Sequence, residues 1–432
     1  MPTVQPFRAL RYAPDAVAHL AAVVAPPYDV IDADERRRLV ERDPRNVVRL
    51  DLPVAESGDE PDEQYRRAAR QLAAWRGDGT LHRDPRPSLY PYEQTYRVPG
   101  TDVERTRRGF FGRVRLEAFG PGSGIRPHER TLAGPKEDRY RLLRATNVNT
   151  SPVVGLYQDG SGTAPAWLAS ITGPPVAEVS DDDGVGHRLW RVAAGEDGID
   201  AVLERVGAGP ITIADGHHRY ETALRYRDER LTGSTEVDPA WASILMLLLE
   251  PEAGPLTVLA THRVLTGIAG SDHVGMALLP ELFEIERASR AELLRAFGAA
   301  ALDTGGRGRF GLWTRDGGYI LTARRGAFAD GLPSGGPAVR RLDVTLAGVA
   351  IERLTGIDAD ATEGGRIRYT KDPAEAVAWV EERTGGADAA LLLEPTPAAE
   401  IVAVAADGDV MPQKSTYIYP KALTGLVINP LE

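Results

Sequence analysis

The 432-residue chain contains no cysteine. Disulfides, zinc–thiolate centres, iron–sulfur clusters and any thiol nucleophile are thereby excluded. Lysine is almost missing as well. Only four of the 51 basic residues are lysine, so Lys136, Lys414 and Lys421 stand out against a background of arginine that reflects codon usage. Long hydrophobic runs are also lacking. The longest, residues 242–249, holds eight residues and includes Ser243, whereas a membrane helix needs roughly 20. No membrane partner is expected. The start, Met1 to Pro6, has neither the basic nor the apolar block of a signal peptide, and the expected compartment is the cytoplasm. An excess of cations is missing too. A formal net charge of −11 argues against nucleic-acid binding, which draws most of its affinity from clustered cations on phosphates.

What is present describes a globular protein of more than one unit. Hydrophobic residues make up 42% and charged residues 26% of the chain, a composition that can build a sizeable core. The length suggests two or three units, with boundaries expected at 1–100, 101–235 and 236–432. Helical spacing runs through residues 34–41 and again through 62–76, where Tyr65, Ala69, Leu72 and Trp75 share a face. A hairpin is expected from 88–98 and 106–119 around Pro99-Gly100. A short helix at 136–145 leads to a strand at 153–157. Residues 159–187 give little signal and read as a surface excursion. Its triplet Asp181-Asp182-Asp183 is more readily a solvated turn than a metal site. Beyond 231, strands are expected at 241–249, 256–260, 310–314, 318–323 and 389–394, and helices at 289–301, 341–354 and 372–383. The Pro- and Tyr-rich segment 412–431 is apolar enough to dock on the body or to complete a site.

The most informative stretch is residues 210–226. An apolar run, Ile211 to Ala214, ends in Asp215-Gly216, after which Tyr220, Ala223 and Leu224 recur at helical spacing. Polar chemistry therefore gathers at a helix N-terminus, where unpaired backbone N–H groups and the helix dipole favour an anion. Arg219 can add a bidentate clamp on phosphate oxygens. Asp215 serves either as a capping residue or as the holder of a magnesium-bound water. His217 and His218 point about 100° apart on a helix and cannot form the i, i+4 pair of a zinc helix.

Six motifs carry a family resemblance: Ala-Pro-Pro-Tyr-Asp-Val-Ile (25–31), Arg-Pro-His-Glu-Arg-Thr (126–131), Gly-Pro-Lys-Glu-Asp-Arg (134–139), Asp-Gly-His-His-Arg-Tyr (215–220), Thr-His-Arg-Val-Leu (261–265) and Met-Pro-Gln-Lys-Ser-Thr-Tyr-Ile-Tyr-Pro-Lys (411–421). Together they resemble the bacterial and archaeal DUF1015 family, whose name carries no activity. Residues 210–226 alone are similar to the nucleotide-binding turn of the ParB/sulfiredoxin superfamily, including free-serine kinases with an Asp-Gly-His-x-Arg motif. The resemblance implies a mixed α/β (α+β) fold, with a ParB/sulfiredoxin-like nucleotide-binding core near the middle and additional α/β elements on both sides. In sulfiredoxin a reactive cysteine precedes the phosphate-contacting histidine and arginine. His217 stands in that cysteine's place here, while His218 and Arg219 match. The kinase pattern instead maps onto Asp215, Gly216, His217 and Arg219, with His218 where those kinases carry threonine.

By the same resemblance the expected activity is a small-molecule phosphotransferase, with ATP or ADP as donor, Mg²⁺ on the phosphates and free L-serine as the first acceptor to test. A phosphomonoester phosphatase and a non-catalytic nucleotide-binding regulator are the alternatives. The loop carrying His128 and Glu129 fits the chemistry, since phosphoryl transfer needs cations and a carboxylate base. Glu129 is the candidate base and His128 its orienting partner. Asp215 and His217 are further catalytic candidates, with Asp215 the metal ligand. Gly216, His218, Arg219, Arg130, Lys136 and Arg139 are candidate nucleotide or phosphate contacts, although a solvated charged loop accounts equally for the last three. Glu221 either steadies Arg219 or faces solvent. Tyr28 and Asp29, fixed by a Pro-Pro pair, are candidate substrate contacts or turn residues. His262 and Arg263 offer an anion contact or an interior ion pair, and Lys414, Ser415 and Lys421 a reach to phosphate. The Lys-Ser-Thr run lacks the glycine-rich loop of a P-loop.

Overall fold

The structure is a computed structural model that describes residues 1–129, 133–196, 198–232, 235, 238–254, 256–268, 279–298, 307–357 and 365–432. Two sheets organise a mixed α/β fold. The larger has ten strands, and its middle is the strand Ser243–Leu249. Every residue of that strand is buried. It runs parallel to Val153–Leu156 on one side and antiparallel to Glu104–Arg115 on the other. Coverage of both faces is why its sequence is continuously apolar rather than alternating. The expected hairpin is present: Ser88–Arg97 pairs antiparallel with Glu104–Arg115 across residue 100.

Beyond Val153–Leu156 lies the strand Ile211–Asp215, antiparallel to it and parallel to Ile125–Arg126. It therefore brings the turn at 215–217 beside the loop that carries His128. The helix His217–Leu231 follows directly. Tyr220, Ala223 and Tyr226 are buried on it, packed with Ile211, Ile213 and Met246. The residues expected at helical spacing thus face this sheet.

The expected excursion at 159–187 is corrected. Thr163–Ser170 is a helix whose Trp167 and Leu168 are buried. Gly186–Leu189 and Ala177–Ser180 belong to the large sheet: the first pairs with Ser88–Arg97, and the second pairs with the first in turn to form one edge. They are short, and only one residue in Ala177–Ser180 is buried, so the apolar signal of an edge strand was too weak to read. Asp181 caps the turn between them, accepting from the backbone of Asp183 and Val185 and lying 3.0 Å from His187 Nε2. Asp182 pairs with Arg42.

The second sheet has six strands, in the order Phe283–Ala288, Gly317–Ala323, Arg309–Thr314, Ala387–Leu393, His262–Thr266 and Ile367–Thr370. Helices Arg290–Phe297 and Pro373–Glu381 cover one face through Leu293, Phe297, Val377 and Val380. On the other face Leu391 and Leu393 join a core that includes Val344, Ile401 and, from the large sheet, Leu245 and Leu247. The two sheets therefore share one apolar core.

The C-terminal segment crosses between them. Tyr417–Tyr419 pairs with Thr257–Leu259, and the chain then reaches Ala25, Leu10 and Val148–Asn149 near the N-terminal part. Two buried side chains clasp it: Arg107 donates to the carbonyls of Tyr419 and Pro420, and Gln94 to that of Lys421. Among the described residues no helix is long and apolar enough to cross a membrane.

Candidate active site

A cavity of about 400 Å³ opens where the turn at 215–217, the His128 loop, residues 28–30, the end of the strand Ile367–Thr370 and the C-terminal segment meet. That volume suits a small ligand. The turn owes its shape to Gly216, whose φ of +88° is closed to most side chains. No side chain caps the helix that starts at His217, so its first N–H groups keep their capacity for an anion.

Arg219 folds back over Gly216. A Cβ at position 216 would lie 2.9 Å from Arg219 Nε. Its Nη2 bonds Asp215 Oδ2 at 2.7 Å, while Nε and Nη1 are buried with no hydrogen-bond partner among the described residues. Orphaned guanidinium donors are costly inside a protein, and an oxyanion would satisfy them. Gly216→Ala should weaken oxyanion binding at this turn roughly tenfold or more, since left-handed strain costs about 1–2 kcal/mol and the new methyl displaces Arg219. Calorimetric titration with inorganic pyrophosphate checks this, and an unchanged affinity would mean the guanidinium takes no part.

Asp215 lies between two cations, with Lys421 Nζ 2.5 Å from its other oxygen. Burial alone would raise its carboxyl, but Lys421 and Arg219 outweigh that and hold it well below the ordinary range. Each oxygen thus already has a cation. Among the described residues no group of three His, Asp or Glu side chains is placed to hold a metal ion. The donor set does not fit a protein-held magnesium at Asp215, because the ammonium and guanidinium bonded to its two oxygens already balance its charge and would repel a dication.

His128 and His217 both line the cavity and are tied into its wall by hydrogen bonds. His128 Nδ1 donates to the Ile213 carbonyl, which leaves Nε2 to accept from Thr416 Oγ1 at 3.0 Å. His217 Nε2 accepts from the His128 backbone N–H at 3.2 Å, and the two rings meet edge-on, 4.6 Å apart. Burial lowers both, His128 to about 4, so both are neutral at pH 7. His218 is lowered by burial and by the neighbouring Lys136 and Lys414. The expectation that His128 orients Glu129 is corrected, because its Nε2 lies 3.8 Å from that carboxylate, beyond a hydrogen bond. Backbone amides do this instead. Lys414 N–H donates to Glu129 Oε1 at 2.8 Å and Ser415 N–H to Oε2 at 3.3 Å. Burial nonetheless dominates and pushes the Glu129 carboxyl up to about 7.

Of the other expected contacts, Tyr28 and Asp29 line the cavity. Arg139 does not. It is buried under Tyr28, with its guanidinium 4.1 Å from the ring centroid, and bonds Asp138 and the Asp51 carbonyl. It props Tyr28 instead of meeting phosphate. Lys136 pairs with Glu221 outside the lining, and among the described residues the ion-pair partner of Arg219 is Asp215. Arg130 lies outside the described residues. His262 accepts from the Leu393 N–H, and Arg263 donates to the Thr261 carbonyl and weakly to that of Lys414. Both shape the wall from behind. Sequence reasoning missed Thr261, Tyr369, Thr370, Lys371, Gln413, Thr416 and Tyr417. The motif at 411–421 pointed to the last three and that at 261–265 to Thr261. For the others only the scarcity of lysine, applied to Lys371, offered a signal.

A profile of the family described as "Protein of unknown function (DUF1015)" matches residues 4–345. The chain belongs to this family. The matched span contains Tyr28, Glu129 and the 215–219 turn of the DUF1015 cavity, while Lys371, Lys414 and Lys421 lie beyond it. No curated protein matches the sequence. Solved structures similar to it include a conserved hypothetical protein from Pyrococcus furiosus at 14% identity and a TM-score of 0.34, covering 68% of this chain and 86% of that one. Another is a free serine kinase in complex with AMP, at 13% identity and a TM-score of 0.36, covering 68% and 83%. SbnI from Staphylococcus aureus, truncated at its C-terminus, is 12% identical with a TM-score of 0.35, covering 73% and 87%. Likeness that weak carries no weight for the activity.

Proposed function

We propose that the protein is a nucleotide-dependent phosphotransferase acting on the hydroxyl of a small metabolite, with free L-serine the first acceptor to test. The observation that carries this reading is one cavity holding both a buried carboxyl tuned to about pH 7, Glu129, and a buried guanidinium with two unpartnered nitrogens, Arg219. A base works best when its pKa lies near the working pH, and phosphoryl transfer is catalysed mainly by positioned charge.

In this reading the nucleotide phosphates lie on the helix N-terminus at His217 and on Arg219. Glu129 accepts the proton of the acceptor hydroxyl as its oxygen bonds the terminal phosphorus, and the bond to the bridging oxygen breaks to release the shortened nucleotide. Mg²⁺ comes with the nucleotide as its counter-ion, since Asp215 is already occupied by cations. Residues 101–235 supply most of the nucleotide side, and 236–432, with Tyr28 and Asp29 from 1–100, the acceptor side. A cytoplasmic location would give access to ATP.

Phosphorus NMR tests the reading. The purified protein is incubated with Mg²⁺, ATP, ADP, CTP or GTP, and L-serine among other amino acids and small alcohols. The expected result is a new phosphomonoester signal that requires one nucleotide and one acceptor. Release of inorganic phosphate from phosphoserine without nucleotide would identify a phosphatase. An unchanged spectrum with nucleotide-induced thermal stabilisation would identify a binding protein, and no stabilisation would remove the nucleotide altogether.

A further inference from the structure

Three of the four lysines in the chain line this one cavity. In a protein of net charge −11 that concentration is not what charge balance alone would produce. Lys421 is neutralised by Asp215. Lys371 and Lys414 differ, for among the described residues neither has a carboxylate within ion-pair distance. Their chain positions are nevertheless fixed. The Lys371 ammonium donates to Tyr417 Oη at 3.3 Å and lies 4.7 Å from the centre of that ring, against which Lys421 also rests at 4.4 Å. Two ammonium groups thus share one tyrosine while only one of them has a counter-charge.

Lys414 shows a second sign. Its φ is +54°, a left-handed backbone that suits glycine or asparagine and strains a lysine. The strain is held by contacts on either side: its N–H bonds Glu129 and its carbonyl accepts from Arg263. Strain of this kind gathers at binding sites. It places the Lys414 side chain on the residue that also orients the candidate base.

We infer that Lys371 and Lys414 form a second anion-binding subsite, on the C-terminal wall of the cavity, which takes the carboxylate or phosphate of an anionic hydroxylated acceptor. The word acceptor rests on the phosphotransferase reading, while the subsite itself does not. Lysine suits the task because its ammonium is a compact charge on a flexible stem that can follow acceptors of different shape. An acceptor anchored there has its hydroxyl beside Glu129, whereas a neutral alcohol has no such anchor. The subsite would therefore select hydroxy acids or sugar-phosphate-like molecules over plain alcohols.

With only four lysines, protein labelled with ε-¹³C-lysine gives four side-chain signals, assigned with Lys371→Arg and Lys414→Arg. The full chain is titrated with L-lactate, with glycerol 3-phosphate and, as the uncharged control, with propane-1,2-diol. Saturable shifts of the Lys371 and Lys414 signals with lactate or glycerol 3-phosphate, and none with the diol, are expected, and the stronger of the two identifies the anion as carboxylate or phosphate. Lys371→Met should weaken that binding roughly tenfold or more, as loss of one charge-assisted contact does, with unchanged thermal unfolding because the side chain is exposed. Absence of shifts with both anions, or equal shifts with the diol, overturns the subsite. Shifts produced by ATP alone overturn its assignment to the acceptor. Anion binding without phosphoryl transfer in the NMR assay leaves the subsite standing and sinks only the kinase reading.

Discussion

Glu129→Gln should lower phosphoryl transfer by roughly 10²-fold or more, the scale on which a positioned base acts, and leave nucleotide affinity nearly intact. The amide keeps the shape of the carboxylate, and one of its termini can still accept from the Lys414 or Ser415 N–H. What it loses is the capacity to take a proton. Because the wild-type carboxyl is lifted to about 7 by burial, the rate should rise with pH up to about that value and then level off. The Gln variant should show no such limb. The same carboxyl links pH to stability. Its folded pKa lies above the value of 4.5 for an unburied glutamate, so its contribution is fully present below about 4.5 and is lost as pH rises through about 7. Relative to Glu129→Gln, the wild type should therefore weaken across that interval in chemical denaturation. A fully active Gln variant would remove Glu129 from the mechanism, and a flat difference in stability would mean that the carboxyl titrates as it does in water.

The parts of this site that could be read from sequence are those that are local. Asp215, Gly216 and Arg219 lie in one strand–turn–helix, so residue type and spacing alone placed a carboxylate, a left-handed turn and a guanidinium together. Glu129 could be named because its charged loop, which alone reads more readily as solvated, resembles the family motif at 126–131. Its environment could not. Burial of Glu129 and the two amides that bond it come from the C-terminal segment, which reaches the loop only because Tyr417–Tyr419 pairs with Thr257–Leu259 and Arg107 clasps the next carbonyls. Long-range pairing of that kind leaves no periodicity in the sequence. Arg139 illustrates the converse. In sequence it is one more cation near Lys136, but on the helix Ala133–Thr146 it turns toward Tyr28 and Asp51 and away from the cavity. The fold follows the same rule: Ser243–Leu249 and His217–Leu231 announce themselves through strong patterns, while the edge strand Ala177–Ser180 and its four-residue neighbour Gly186–Leu189 bury too few side chains to do so.

The carboxylate between Lys421 and Arg219 should be the costliest single change in the cavity. Asp215→Asn leaves an ammonium and a guanidinium, each largely buried, facing a neutral group, and breaking a buried ion pair from one side typically costs about 3–5 kcal/mol. Removing Lys421 in the same chain relieves part of that cost, because one of the two stranded cations is gone. The double variant Asp215→Asn/Lys421→Met should therefore be less destabilised than the two single changes added together, by roughly 1–3 kcal/mol of coupling. Gln94 and Arg107 grip the backbone around Lys421 and not its ammonium, so the segment stays docked and the cycle reports the pair itself. Denaturant unfolding of the four proteins measures this. The carboxyl is held below its ordinary value, so the stability it adds is present above about pH 4 and is lost only as pH falls further. The gap between wild type and Asp215→Asn should accordingly stay constant near neutrality and close in acid. Strict additivity, or a gap that shows no narrowing as pH falls below about 4, would show that the carboxylate is not what holds the two cations in place, and Arg219 would then owe its position over Gly216 to packing alone.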